Sequence, residues 1–416
     1  MTSETEPPST ASGSASAELR TISHHARGFW SVAFLFAVTM AFASAPAPLY
    51  VFYVEEQGWG SFGITVVFAT YGVGVAASLF LAGHLSDRFG RRRVVAPAVL
   101  LNVLAALIFL STHELGWLLL ARFASGLGVG MLTATATAHL AELHRSARPQ
   151  ASTTRAEVVA TAANIGGLGL GPLIAGVLAE WAPRPLYTPY AVFAFLMVIG
   201  LLAVVAAPET VDTDQPAWTY RPQRVRVPAD ARAAYFAAGM ASFVAFAMFG
   251  FFTSLVPSFL ADELHLRSHA VAGAIGFSIF GAAALFQVAT GSWPRRRSYA
   301  AGLVALAAGL ILVIGALWSG TFSILVAGAV VTGAGSGMAF KAAVATVISV
   351  APADARGEAL AGLFLMGYLG ITMPVVLLGI LVQYVATDPA MLTFGALLLV
   401  LLGVAGRGVA APRRTS

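Results

Sequence analysis

Residues 83–93 read Gly83-His84-Leu85-Ser86-Asp87-Arg88-Phe89-Gly90-Arg91-Arg92-Arg93. This is a short polar island: four arginines, one carboxylate and two glycines. The stretches on either side, 61–83 and 94–112, are almost free of charge and each is near the ~20 residues needed to cross the hydrocarbon core of a bilayer as a helix. An apolar–charged–apolar pattern on this scale is a hairpin of two membrane helices with its arginines in water. Gly83 lets the first helix approach a neighbour closely, and Gly90 permits a tight turn.

The same pattern continues outward in both directions. Further apolar segments lie at 29–53, 115–142, 156–180, 186–207, 234–260, 270–291, 299–318, 321–350, 358–384 and 390–409, making twelve with the first two. Composition agrees: 58% of residues are hydrophobic and 10% charged, against about 25% charged in soluble domains. The 42 glycines suit closely packed membrane helices. Cysteine is absent, which excludes disulfides, thiolate nucleophiles and thiolate metal sites. The first segment ends in AFASAPA (41–47), a run resembling a signal-peptide cleavage site. The long preceding tail and an apolar run continuing through Tyr53 fit a retained helix better.

Loop charge sets orientation. With the N-terminus in the cytoplasm, only Arg184 and Arg267 fall outside, and Arg122 and Lys341 fall within spans. Every other member of the 24 Lys and Arg lies on the cytoplasmic side, as the positive-inside rule requires. The scattered clusters are no nucleic-acid footprint. The chain also repeats over about 200 residues: GLGVGM (126–131) matches GAGSGM (333–338), and Arg91–Arg93 has a partner in Arg295–Arg297. The expected fold class is an all-α membrane protein of twelve transmembrane helices in two pseudo-symmetric six-helix bundles. The expected organisation is a disordered cytoplasmic tail (1–27), an N-terminal bundle (28–207), a cytoplasmic linker (208–232), a C-terminal bundle (233–410) and a cytoplasmic tail (411–416).

Three motifs resemble one family. Gly83, Leu85, Asp87, Arg88, Gly90, Arg91 and Arg92 match the signature loop of the major facilitator superfamily, Gly-x-Leu-x-Asp-Arg-x-Gly-Arg-Arg/Lys. Arg122 to Gly130, RFASGLGVG, is similar to the helix-4 motif of bacterial twelve-helix drug–proton antiporters, with Ser125 where a Gln is common. Gly167, Gly171, Pro172 and Gly176 match the helix-5 motif of the same antiporters in part; Ala175 and Val158 replace its usual glycines. Pro208-Glu209-Thr210 resembles a short sequence after helix 6 in many members. The resemblance implies a central cavity lined by helices 1, 4, 7 and 10. It also implies a cytoplasmic gate in which Asp87 faces the positive N-terminal end of helix 11. Arg88, Arg91 and Arg92 belong to that gate, and Glu142 at the inner end of helix 4 is the natural acidic partner of Arg91 or Arg92. The second-half copy, SWPRRRS (292–298), lacks the aspartate.

The function so implied is secondary active transport of a small organic molecule by alternating access, driven by protons and directed outward, with a drug-like or natural-product substrate. Uptake of a nutrient or organic anion is the alternative, and a non-transporting receptor or scaffold a remote one. No Ser/His/Asp or metal-ligating constellation emerges, so no enzyme, cofactor or metal site is expected. The expected setting is a bacterial cytoplasmic membrane, with both termini inside and the monomer functional. An ionisable residue within a span marks function by default, so Arg122 and Lys341 are substrate candidates, with Asn164, Tyr71, Gln287 and Thr133. Two interior cations and no mid-span acid predict an anionic substrate. Glu55, Glu56 and His139 are coupling candidates.

Overall fold

The computed structural model describes residues 11–58, 60–82, 85–211, 227–352 and 355–410. Among the described residues there are twelve helices long and apolar enough to cross a membrane: α1 (Thr21–Gln57), α2 (Phe62–Ala82), α3 (Arg91–Ser111), α4 (Leu115–Ala147), α5 (Thr154–Trp181), α6 (Thr188–Val205), α7 (Arg232–Ser254), α8 (His269–Ala289), α9 (Arg295–Ser319), α10 (Phe322–Val350), α11 (Arg356–Leu381) and α12 (Pro389–Arg407). Helices are the only open-ended way to satisfy every backbone group in lipid. Leu104, Leu202, Val304 and Val400, on α3, α6, α9 and α12, are half or more exposed, as side chains solvated by acyl chains should be.

Several boundaries differ from the sequence reading. The tail expected to be disordered up to residue 27 is helical from Ala11 onward, continuous with α1. Growth from an existing helix avoids the nucleation cost. Arg91, Arg92 and Arg93 form the first turn of α3 rather than a loop. Helix α4 continues past residue 142 to Ala147, which places Glu142 inside it. Helix α1 is interrupted: the helix ending at Ser44 gives way to a 3-10 turn at Ala47–Leu49 and resumes at Tyr50–Gln57. Pro46 and Pro48, lacking N–H groups, cause the break. The 234–260 segment breaks the same way at Leu255, before a short helix Val256–Asp262 with Pro257 in its first turn.

The two halves repeat in packing as well as sequence. In the first, α4 packs on α1, α2 and α3; in the second, α10 packs on α7, α8 and α9. The glycine repeat explains the match. A Cβ on Gly126 would fall 2.2 Å from the Tyr71 carbonyl of α2, one on Gly128 2.3 Å from the Ala98 carbonyl of α3, and one on Gly130 1.9 Å from Ser78 of α2. In α10, a Cβ on Gly333 or Gly337 would fall 2.2 or 2.1 Å from the Ile279 or Ala283 carbonyl of α8, and one on Gly335 would meet α9 at Leu306. Alternate glycines thus seat two neighbours against one central helix. The halves meet along two seams related by the same pseudosymmetry, α5 with α8 and α2 with α11. Helices α1 and α7 are the most enclosed, with 89% and 78% of their apolar windows buried.

Candidate functional site

At the Arg-rich end, Arg91 organises a cluster. Its guanidinium meets Glu142 through two bonds, Nε to Oε2 at 3.1 Å and Nη2 to Oε1 at 2.7 Å. Nη1 reaches Ser86 Oγ at 2.7 Å and Asp87 Oδ1 at 2.5 Å. Arg91 is only 6% exposed, so its charge needs these partners. Thr210 Oγ1 donates to Glu142 Oε2 at 2.6 Å. The structure therefore brings together Asp87, Arg91 and Glu142 and places Arg88 in the short helix Leu85–Phe89 beside them. Gly83 lies outside the described residues.

Gly90 and Glu209 complete the turn. Gly90, the N-cap of α3, has φ +95°, and a Cβ there would meet Glu209 Oε2 at 2.8 Å. A glycine cannot cap with a side chain, so the first N–H groups of α3 need an outside acceptor. Glu209 supplies it, accepting from Arg91 N at 2.8 Å and Arg92 N at 3.0 Å. Burial raises its pKa, but bonds from the N–H groups of Arg91, Arg92, Thr210 and Val211 outweigh that and hold the carboxyl below the ordinary range. Arg92 also donates to the Val205 carbonyl, and His139 Nε2 lies 3.1 Å from the Pro208 carbonyl. The Pro208-Glu209-Thr210 run was weak as a motif; its function as a strap from α6 to α3 and α4 is visible only in three dimensions. The second half is tied differently here. Tyr235 donates to the Ala359 carbonyl at 2.9 Å and Tyr299 to that of Ala237 at 2.8 Å.

The interior cations both have partners. Arg122, 2% exposed, donates from Nη1 to the Ala43 carbonyl at 2.8 Å and stacks 4.5 Å from the Tyr71 ring and 6.0 Å from Phe68. Ala43 lies just before the break in α1 at Pro46 and Pro48. Lys341 does not stand free. Its Nζ donates to the Thr290 carbonyl and lies 3.2 Å from Thr290 Oγ1, the C-cap of α8, where a cation meets the negative end of the helix dipole. Gly333, Gly335 and Gly337 of the same helix are packed against α8 and α9.

The remaining candidates are dispersed. Tyr71 is buried against Arg122. Thr133 is half-buried and donates to the Val129 carbonyl of its own helix at 2.8 Å. Asn164 sits on a π-turn, Ala162–Gly166, inside α5, a feature frequent at functional sites. Gln287 Nε2 crosses the α5–α8 seam to Thr161 Oγ1 at 3.3 Å. An aromatic cluster that the sequence analysis did not single out lies in the second half. Phe246 of α7 lies 5.3 Å from Phe340 of α10 and 5.6 Å from Tyr368 of α11, and Phe340 lies 5.6 Å from Phe364 (centroids). All four rings are half-buried.

At the Arg-poor end the seams are closed. Gly176 would place a Cβ 2.3 Å from the His269 carbonyl, and Gly273 one 2.3 Å from that of Pro172. A Cβ on Gly171 would fall 2.0 Å from the Ala41 carbonyl of α1, and one on Gly167 2.7 Å from that of Ala37. The helix-5 residues thus divide between α1 and α8. Across the other seam, Gly379 faces Thr65 and Gly72 faces Thr372. Glu55 borders a small cleft with Asp262 and Arg267, and Glu56 pairs with His113 Nδ1 at 3.0 Å.

Comparison with known proteins adds a family. The profile described as Major Facilitator Superfamily matches residues 32–229 and 237–415. The chloramphenicol resistance protein CraA of Acinetobacter baumannii is 29% identical over 163 residues, 37% of this chain and 38% of that protein. The multidrug resistance protein MdtL of Klebsiella pneumoniae is 26% identical over 167 residues, 39% and 40% of the two chains. The arabinose-proton symporter of Bacillus subtilis is 31% identical over 77 residues, 18% of this chain and 17% of that one. Each of these matches spans well under half of the relative's length.

Proposed function

This chain belongs to the major facilitator superfamily, and on that premise we propose that it exports lipophilic, aromatic, drug-like molecules across a bacterial cytoplasmic membrane by proton-coupled alternating access. The observation that carries the substrate class is the half-buried cluster of Phe246, Phe340, Phe364 and Tyr368, on helices from three different positions of the second half. Aromatic rings give a flat ligand offset-stacked and edge contacts. Both interior cations have contacts, Arg122 with Ala43 and Tyr71 and Lys341 with Thr290, while Arg122 Nε is buried with no partner. The aromatic cluster favours a neutral or weakly charged aromatic compound over the anionic substrate that the two cations suggested.

Both termini are then cytoplasmic, the Arg-rich end faces the cytoplasm and the Arg-poor end faces outward, as loop charge predicts. The monomer, with bundles at 28–207 and 233–410 joined through 208–232, is the working unit, and the chain does no covalent chemistry. The Asp87–Arg91–Glu142 cluster acts as the cytoplasmic gate. His139 and Glu142, which share that cluster, are the candidate proton carriers. Import is the second reading, favoured by the short match to a proton-driven sugar symporter.

The test is transport in inside-out vesicles under an imposed pH gradient, with chloramphenicol as the first neutral aromatic probe. Export predicts accumulation that a protonophore abolishes. Accumulation indifferent to the protonophore removes proton coupling. Absence of accumulation for every aromatic compound, with arabinose uptake in right-side-out vesicles, replaces export by import.

A further inference from the structure

Glu180 stands in a place that its own helix disfavours. It lies in the last turn of α5 (Thr154–Trp181), where unsatisfied carbonyls make the helix end negative and a carboxylate is repelled. A residue that breaks a local rule is compensated elsewhere or serves a function. The compensation comes from the other half of the molecule. Glu180 Oε2 accepts from the backbone N–H of His269 at 2.8 Å and lies 3.3 Å from Ser268 Oγ. These residues begin α8 (His269–Ala289), whose first N–H groups have no intrahelical acceptor. Ser268 caps one of them, accepting from Val271 N at 3.3 Å. Glu180 takes the donor that Ser268 cannot reach.

His269 is gripped on its other sides by the first half too. Its ring stacks on Phe52 of α1, with centroids 4.2 Å apart and planes 6° from parallel, and its Nδ1 lies 3.5 Å from Glu180 Oε2. Its carbonyl abuts Gly176. Among the described residues, the related seam of α2 with α11 shows no equivalent: α11 ends at Leu381, and no carboxylate follows before Asp388. The contact is therefore a feature of this seam and not a by-product of the internal repeat.

We infer that Glu180 and Phe52, closing on the start of α8 at Ser268 and His269, form the latch that holds the Arg-poor end of the transporter shut. The inference rests on the alternating-access reading above. For the Arg-poor end to open, the Glu180–His269 hydrogen bond and the Phe52–His269 stack must break together, and the N-terminus of α8 must exchange the carboxylate for water. Glu180 is a positioning residue: it touches no substrate and sets the ratio of closed to open forms at that end.

The chain lacks cysteine, so introduced pairs can be spin-labelled cleanly. Glu114→Cys with Ser319→Cys reports the Arg-poor end, and Ala151→Cys with Arg296→Cys the Arg-rich end; all four positions are exposed. Pulsed electron–electron resonance in lipid nanodiscs then measures both separations. Glu180→Ala should raise the ratio of long to short separations at the Arg-poor end by about five- to tenfold, the effect of losing one partly exposed cap, with a matching shortening at the Arg-rich end. Glu180→Gln, which keeps an acceptor but no charge, should fall between. Ser268→Asp added to Glu180→Ala supplies a carboxylate to α8 from its own half. The latch requires that this double variant stay open; recovery of the closed population would show that Glu180 only stabilises α8, and would overturn the inference. So would distances in Glu180→Ala and Glu180→Gln that equal the wild type while the two ends of the wild type exchange in opposite senses. Separations that never vary in any variant would overturn the latch and alternating access together.

Discussion

Replacing Glu142 by leucine removes the bidentate partner of Arg91 and the acceptor of Thr210. Hydrogen bonds to charged groups contribute about 1.5–3 kcal/mol each when buried. Two observations reduce the sum. Glu142 is 24% exposed, so water can enter its place, and Arg91 keeps Asp87 and Ser86. The expected loss is about 2–3 kcal/mol. Arg91→Met alone leaves Glu142 near water and bonded to Thr210, and should cost about 1–2 kcal/mol. The double variant carries no stranded buried guanidinium, and Asp87, 67% exposed, returns to solvent. It should therefore lose only about 1–2 kcal/mol, a coupling of about 2 kcal/mol. Equilibrium unfolding in mixed micelles measures all four corners of the cycle. Transport should be impaired in all three variants, because stability is regained by the double but the gate is not. Strictly additive losses would refute the account of Arg91 as a buried charge held by Glu142, and full transport in the double variant would refute the gate.

Gly90→Ala combines a φ of +95° with a contact of 2.8 Å to Glu209; it should cost more than about 1 kcal/mol and lower the folded yield, as size-exclusion profiles will reveal. Lys341→Met should slow transport of neutral and anionic probes alike if the ammonium caps α8, whereas a selective loss for anions would restore the substrate-site reading. Glu209 has a folded pKa below its unfolded value of about 4.3, so its stabilisation is complete above that pH and is lost as pH falls through the lower folded value. Melting curves of wild type should therefore drop below about pH 4 more steeply than those of Glu209→Gln.

Much of this protein could be read from the chain alone because the bilayer leaves few options. Apolar length sets the spans, arginine placement predicts their sidedness, and the glycine repeats at 126–130 and 333–337 mark the central helix of each half. The partnership of Arg91 with Glu142 was also legible, since both had to lie at the Arg-rich end of neighbouring helices. Other features depend on contacts between segments far apart in sequence, which no local pattern encodes. Lys341 reads as a stranded charge until α8 is seen to end beneath it. Glu209 reads as linker until the first turn of α3, left uncapped by Gly90, is found against it. Glu180 looks misplaced on its own helix and becomes intelligible only when the start of α8 arrives from the other half. In each case a helix end offers unpaired backbone groups that its own sequence cannot satisfy, and only the tertiary structure decides which distant side chain does.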